Sequence, residues 1–171
     1  MDGLNYDFLK FIEGVLLEDE KVPVIITINS NGGDFHVGLS IYNILKSLPN
    51  PVYTLITRQA VSSASIIFLG APRAHRFTLP NSRIIFHPVR LTKFQDVGNK
   101  LLTQLQNETR QNNKLLLDIV SFETDLGREN LEPVFMTSDD EMLELNSNEM
   151  YEKNLAKVIK YYRDFKKIIT Q

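Results

Sequence analysis

Cysteine is absent from the 171 residues, and so is tryptophan. Without a thiol there is no disulfide, no thiolate metal ligand, no iron–sulfur cluster and no cysteine nucleophile. No apolar run approaches the roughly 18 residues of a membrane span. Met1-Asp2-Gly3-Leu4-Asn5-Tyr6-Asp7 does not set a basic region ahead of an apolar one, which argues against a secretory leader. Excess charge of either sign is also missing, since 19 basic and 21 acidic side chains leave a net −2. Such a chain has no electrostatic means of holding nucleic acid. There is no internal repeat and no low-complexity tract. What is present, 43% apolar and 23% charged residues, is the balance of a globular protein, and the length suits one domain spanning 1–171. The expected setting is the cytoplasm, without membrane attachment and without a cofactor.

Apolar spacing then orders the chain. Phe8, Phe11, Ile12, Val15 and Leu16 predict an amphipathic helix over Asp7–Glu18. Val22–Ile28 is a β-branched run without helical period, the pattern of a strand buried on both faces in a parallel sheet. A helix is expected over Val37–Leu48, a strand over Val52–Thr57, a buried helix over Ser62–Leu69, and strands over Arg76–Leu79 and Arg83–Phe86. Strand and helix alternate, as in a layered α/β fold with right-handed crossovers. Asp96–Phe122 reads as one long helix, apolar at its ends and polar over Gln104–Asn113. Glu132–Leu145 reads as acidic and irregular, and Asn148–Ile169 as a final helix with a solvated lysine-rich face.

Three stretches carry possible chemistry. Asn31-Gly32-Gly33 joins a strand to a helix, and adjacent glycines allow positive φ and close backbone approach. Such a turn can aim amides at a developing oxyanion, or serve only as a connection. Ser62 and Ser63 open a helix after a strand, with small Ala60 and Ala64 on either side of Ser62. The mechanics suit a nucleophile on a tight elbow, and simple helix capping suits the same residues. His87 ends a strand, where catalytic groups of α/β folds gather, whereas His36 and His75 lie in polar stretches and read as surface residues. A serine needs a base, and an imidazole needs a carboxylate to fix its tautomer. Asp139-Asp140-Glu141 offers candidates, and pattern alone does not choose among them.

These stretches resemble the proteolytic subunit of the ATP-dependent Clp protease. Ile28-Asn29-Ser30-Asn31-Gly32-Gly33 is similar to that family's I-N-S-P-G-G, and Gly38–Tyr42 to its following helix. Arg58-Gln59-Ala60-Val61-Ser62-Ser63-Ala64 is similar to G-Q-A-A-S-M-G, and Phe77-Thr78-Leu79-Pro80-Asn81-Ser82-Arg83 running on to His87 to F-x-L-P-N-S-R-x-x-x-H. The separations match as well: 25 positions from Ser62 to His87 and 29 from Gly33 to Ser62. The resemblance covers about Tyr6 to Leu155.

It implies a Clp/crotonase-like α/β fold of repeated strand-strand-helix units with a long handle helix. It further implies a serine endopeptidase acting on peptides or unfolded proteins, with Ser62 as nucleophile and His87 as base. The amides of Gly33 and Ser63 would form the oxyanion hole. Asp139-Asp140-Glu141-Met142-Leu143 is similar to the family's R-D-x-F-L segment, and Gly127 keeps its spacing, which puts Asp140 at the third position; Asp139 is the second choice, and a gap-free alignment from the last helix slides the position to Met142. The implied partners are further copies in one ring or two stacked rings, and an ATP-using AAA+ unfoldase. No nucleotide, metal or cofactor is implied for this chain. Departures are plain: Asn31 for proline, Arg58 for glycine, Ser63 for methionine, Ala64 for glycine, Pro88-Val89 for glutamine-proline, and Arg90–Gln95 in place of a glycine-rich segment. On this resemblance the sequence would start after the family's N-terminal strand and axial loop. Two other readings compete: a non-catalytic Clp-like subunit with an assembly or regulatory role, and an acyl-CoA enzyme of the crotonase fold.

Overall fold

The computed structural model describes residues 3–16, 19–90, 98–137 and 141–169. Helix α1 (Gly3–Leu16) precedes strand β1 (Val24–Ser30), and helix α2 (Phe35–Ser47) leads to β2 (Val52–Val61). Then follow α3 (Ser63–Leu69), β3 (Arg76–Thr78), β4 (Arg83–Phe86) and the long α4 (Asn99–Glu123). The remainder is α5 (Arg128–Met136), β5 (Leu143–Asn146), α6 (Ser147–Glu152), β6 (Lys157–Val158) and α7 (Tyr162–Ile169).

β2 organises the sheet. One of its edges pairs in parallel with β1, and the other pairs first with β3 and further along with β4. β6 extends β3 in parallel, and β5 closes the far side antiparallel to β4. The apolar and β-branched first half of β2, residues 52–56, suits this central place, since both its faces are covered there. Ile56 and Ala60 face the main core, where Phe68, Leu117, Val120, Leu131 and Phe135 pack, while α2 seals Val24 and Val52 with Ile41 and Leu45. Leu55 points the other way, to Phe77, Ile159 and Phe165. β1 departs from the expected double burial: Ile25 and Ile26 are half-buried and Thr27 is exposed, because among the described residues β1 pairs with β2 alone.

Three further expectations are corrected by the structure. The final helix over Asn148–Ile169 is broken into α6, β6 and α7. Asn154 adopts φ +53°, and the amides of Leu155 and Ala156 both donate to the Met150 carbonyl at 2.8 and 3.2 Å, closing α6. Asparagine tolerates that left-handed geometry, and the freed chain goes on to pair β6 with β3. Leu155 and Ile159 are buried in the connections on either side of β6, and Phe165 is buried in α7. The stretch read as irregular over Glu132–Leu145 holds most of α5 and of β5; Pro133 and the acidic residues mask a buried face of Leu131, Val134 and Phe135. In α4 the apolar start is not core, since Leu101 and Leu102 are exposed, whereas Asn113 in the polar middle is buried.

A buried ionic cluster ties α2, β3 and α4 together. Arg76 is fully buried and donates to the carbonyls of Ala71, Leu69 and Glu123 and to the Glu123 carboxylate. The other oxygen of that carboxylate takes Tyr42 Oη at 2.8 Å and Lys46 Nζ at 2.7 Å. Burial pushes the Glu123 carboxyl upward, but the hydrogen bonds from Lys46 and Tyr42 and the charge of Arg76 outweigh it, and the group lies below its ordinary range. Burial, reinforced by the hydrogen bond to Glu123, raises the Tyr42 phenol, so it stays a donor. Removing one partner of such a cluster leaves an uncompensated buried charge, at a cost of about 3–5 kcal/mol.

Glu123→Gln is therefore expected to destabilise the fold at neutral pH by about that amount in urea unfolding. Because the folded carboxyl is held low, its stabilisation is complete above the ordinary carboxylate range, near pH 4.3, and is lost as pH falls through the lowered folded value. The gap between wild type and variant should close over that acid interval. A gap that widens there would contradict the assignment.

Candidate active site

The strand register decides which side chains can meet. Val61, the last residue of β2, pairs with Ile85 of β4, and Ser30 at the end of β1 pairs with Ala60. Three parallel strands thus end together. Ser62 leaves β2, His87 leaves β4 beside it, and Asn31-Gly32-Gly33 leaves β1 on the other side. A polar chain crosses the same end of the sheet: Gln59 donates to Asn31 Oδ1, and Arg83 donates to Gln59 Oε1 at 3.0 Å and to Glu144 at 3.2 Å.

Ser62 turns the chain sharply, with φ 59° and ψ −128°. A non-glycine residue in such backbone stores about 1–3 kcal/mol, which the surroundings must hold. They do so at both ends of the residue. The Ser62 amide donates to the Ile85 carbonyl at 3.1 Å, and its carbonyl accepts the Ser65 amide at 2.9 Å and Ser65 Oγ at 2.6 Å. Ser62 makes no capping hydrogen bond to α3 with its side chain, so the capping reading fails for it. A capping residue needs extended backbone, and the elbow turns Ser62 away. Buried Ala60 and Ala64 flank the turn, as their size suggested.

Gly32 is what allows the glycine turn to lie against this elbow. It has φ +85°, and a Cβ there would stand 2.4 Å from the Val61 carbonyl oxygen and 2.7 Å from Ser62 Cβ. Gly33 has neither constraint, for a Cβ on it meets nothing within 4 Å. Of the two glycines, only the first is demanded by the backbone.

His87 is half-buried, and its Nδ1 lies 2.7 Å from the Pro88 carbonyl oxygen. Since a carbonyl only accepts, Nδ1 carries the proton and Nε2 of the neutral ring is left as acceptor. The segment after His87 is held in turn by Asn113 of α4, whose Oδ1 accepts the Val89 amide at 2.6 Å. That positioning role of Asn113 escaped the sequence reading, because its polar neighbours mark no periodicity. Ser65, which braces the elbow, escaped it too.

Ser62, Ser63, Gly33 and His87 line one cavity of about 590 Å3, walled by Phe35, Ile66, Leu105 and Leu116. His36 stands at its rim, 3.6 Å from Glu108. His75 is remote and is not a bare surface residue: it stacks on Tyr53 with ring centres 4.2 Å apart. Among the described residues no hydrogen bond joins Ser62 Oγ to His87. Asp139 and Asp140 lie outside the described residues. β5 pairs antiparallel with β4, Leu143 opposite Phe86, so the chain entering β5 arrives at the end of the sheet from which His87 departs. Among the described residues no His, Asp or Glu cluster could hold a metal ion, and no helix is long and apolar enough to cross a membrane.

Comparison with known proteins points to one family. A family model described as Clp protease matches residues 10–157. The ATP-dependent Clp protease proteolytic subunit 2 of Borreliella burgdorferi is 35% identical over 112 residues, which are 64% of this chain and 56% of the relative. Proteolytic subunit 1 of Chlamydia pneumoniae is 36% identical over 81 residues, 47% of this chain and 42% of the relative. The chain therefore spans about half the length of the curated relatives it matches. A solved ClpP1 mutant from Listeria monocytogenes superposes with a TM-score of 0.76 at 22% identity, covering 96% of this chain and 89% of that one. The fold is thus the mixed α/β fold of that structure.

Gly32→Ala should lower the melting temperature, because the left-handed φ alone costs a side chain about 1–2 kcal/mol before the clash with Val61 is counted. Gly33→Ala should melt within about 2 °C of wild type. Equal losses in thermal melts would show that Gly32 is not the contact on which the turn rests.

Proposed function

Because this chain belongs to the Clp protease family, we propose that it is a serine endopeptidase in which Ser62 is the nucleophile, His87 the base and Asp140 the carboxylate that takes the His87 Nδ1–H over from the Pro88 carbonyl and orients the imidazole. The observation that carries this reading is the braced, left-handed Ser62 at the end of β2 beside His87 at the end of β4. A backbone that expensive is kept where it exposes a reacting atom. In the reaction Ser62 Oγ bonds to the scissile carbonyl carbon as its proton passes to His87 Nε2. The same proton goes to the leaving amine, and water activated by His87 then releases the acyl group. Amides of Gly33 and Ser63 hold the oxyanion. The substrates are peptides or unfolded proteins. The chain works in the cytoplasm as a ring-forming homo-oligomer, in one ring or two, fed by an AAA+ unfoldase that spends the ATP; the chain itself takes no cofactor.

A second reading, a non-catalytic Clp-like subunit, is favoured by the lack of a Ser62–His87 hydrogen bond among the described residues. A fluorophosphonate probe separates the two, since it needs an activated serine. The expected result is a single adduct by intact mass, absent from Ser62→Ala. No adduct at any pH would favour the non-catalytic subunit.

Asp140→Asn is expected to slow labelling by about 100-fold or more, as loss of the tautomer-fixing carboxylate does elsewhere, and Asp139→Asn by less than about threefold. Equal effects in the same assay would overturn the choice of Asp140.

A further inference from the structure

The Gly33 amide is already engaged. It donates to Ser63 Oγ at 2.8 Å. Ser63 is 7% exposed, and its side chain is wedged against α2, where a Cβ on Gly38 would stand 2.6 Å from Ser63 Cβ. The hydroxyl is thus fixed on the glycine turn. The neighbouring Gly32 amide is also taken, by Ser30 Oγ at 3.0 Å. Gly33 and Ser63 nevertheless both border the cavity that holds Ser62 and His87.

We propose that Ser63 is a positioning residue whose side chain holds the Gly33 amide turned inward, so that the oxyanion hole rests with one free donor, the Ser63 amide. The inference rests on the serine-peptidase reading above, for it concerns that reading's oxyanion hole. A hydrogen bond to an oxyanion acts only if its donor is aimed at the developing charge. Here an internal acceptor competes for that donor, and the substrate must displace it. An apolar side chain at position 63 offers no such competition. The chain therefore starts each acylation with its second donor committed elsewhere. A neutral hydrogen bond of ordinary strength corresponds to about a 3- to 10-fold difference in rate.

The test uses the full chain as wild type, Ser63→Ala and Ser63→Cys. One readout is the rate at which a fluorophosphonate modifies Ser62. In that step the bond from Ser62 Oγ to phosphorus forms, fluoride leaves, and the proton passes to His87. The other readout is hydrogen exchange of the Gly33 amide. Ser63→Ala should label about 3- to 10-fold faster than wild type, with Ser63→Cys between them because sulfur is a weak acceptor. Gly33 exchange should rise in the same order. A side chain with a merely structural role would give slower labelling on replacement, not faster.

Equal or slower labelling by a variant that melts like wild type overturns the proposal; the hydroxyl would then be neutral, or itself a donor to the oxyanion. If Ser63→Ala does not fold, Ser63→Cys decides by the same criterion. If no form is labelled, the peptidase reading fails; faster Gly33 exchange in the variants still upholds the inward-held amide, and unchanged exchange overturns it.

Discussion

β2 runs parallel between β1 and β4, and its last pair, Val61 with Ile85, sets where the chain must turn. The turn is tight because the Ser62 amide is still bonded to β4 while Ser63 already begins α3. Both demands are met with Ser62 at φ 59°. That constraint reaches outward. The glycine turn after β1 must offer a Cβ-free face to Val61, and α2 must offer another to Ser63. Asn113 of α4 must fix the chain after His87. Each of these contacts joins residues distant in sequence, so the site is as stable as the packing that holds the three strand ends together.

Electrostatics divides the molecule into two parts. The costly buried charges, Arg76 and Glu123, lie among α2, β3 and α4, away from the cavity. They are compensated by Lys46, Tyr42 and three carbonyls. Around Ser62 the cavity presents a hydroxyl, an imidazole whose Nδ1 faces the Pro88 carbonyl, and amides, while Asp34, Arg90 and Glu108 stand further along its lining. An oxyanion developing beside Ser62 would meet amide dipoles. This is why the direction of one amide matters, and why the single hydroxyl of Ser63 has leverage. Arg73 and Asp125 form an exposed pair that depresses the carboxyl through a hydrogen bond, and an exposed pair of this kind contributes little to stability.

Much of the fold was legible because local pattern and buried face coincide. β4 ends where the apolar run RIIF ends, and α3 is as apolar as a helix packed all round must be. Pattern failed where one core is filled by several short elements. Ile159 and Phe165 enter one core although Ile159 follows β6 and Phe165 lies in α7. Leu131, Val134 and Phe135 were hidden by Pro133 and by acidic neighbours. For the site, Ser62, His87 and the glycine turn were readable from motif and spacing, whereas Ser65 and Asn113 act through partners that no spacing announces.

The residue order alone determined that a serine and a histidine would each follow a buried strand, since apolar runs and their polar ends are local properties. Tertiary structure decided that those strands are parallel neighbours ending together, that Gly32 rather than Gly33 is the indispensable glycine, and that the Gly33 amide points at Ser63. Those facts depend on strand register and on the direction of single N–H bonds. Both are set by packing between segments about 25 to 30 positions apart, a distance over which local propensity carries no information.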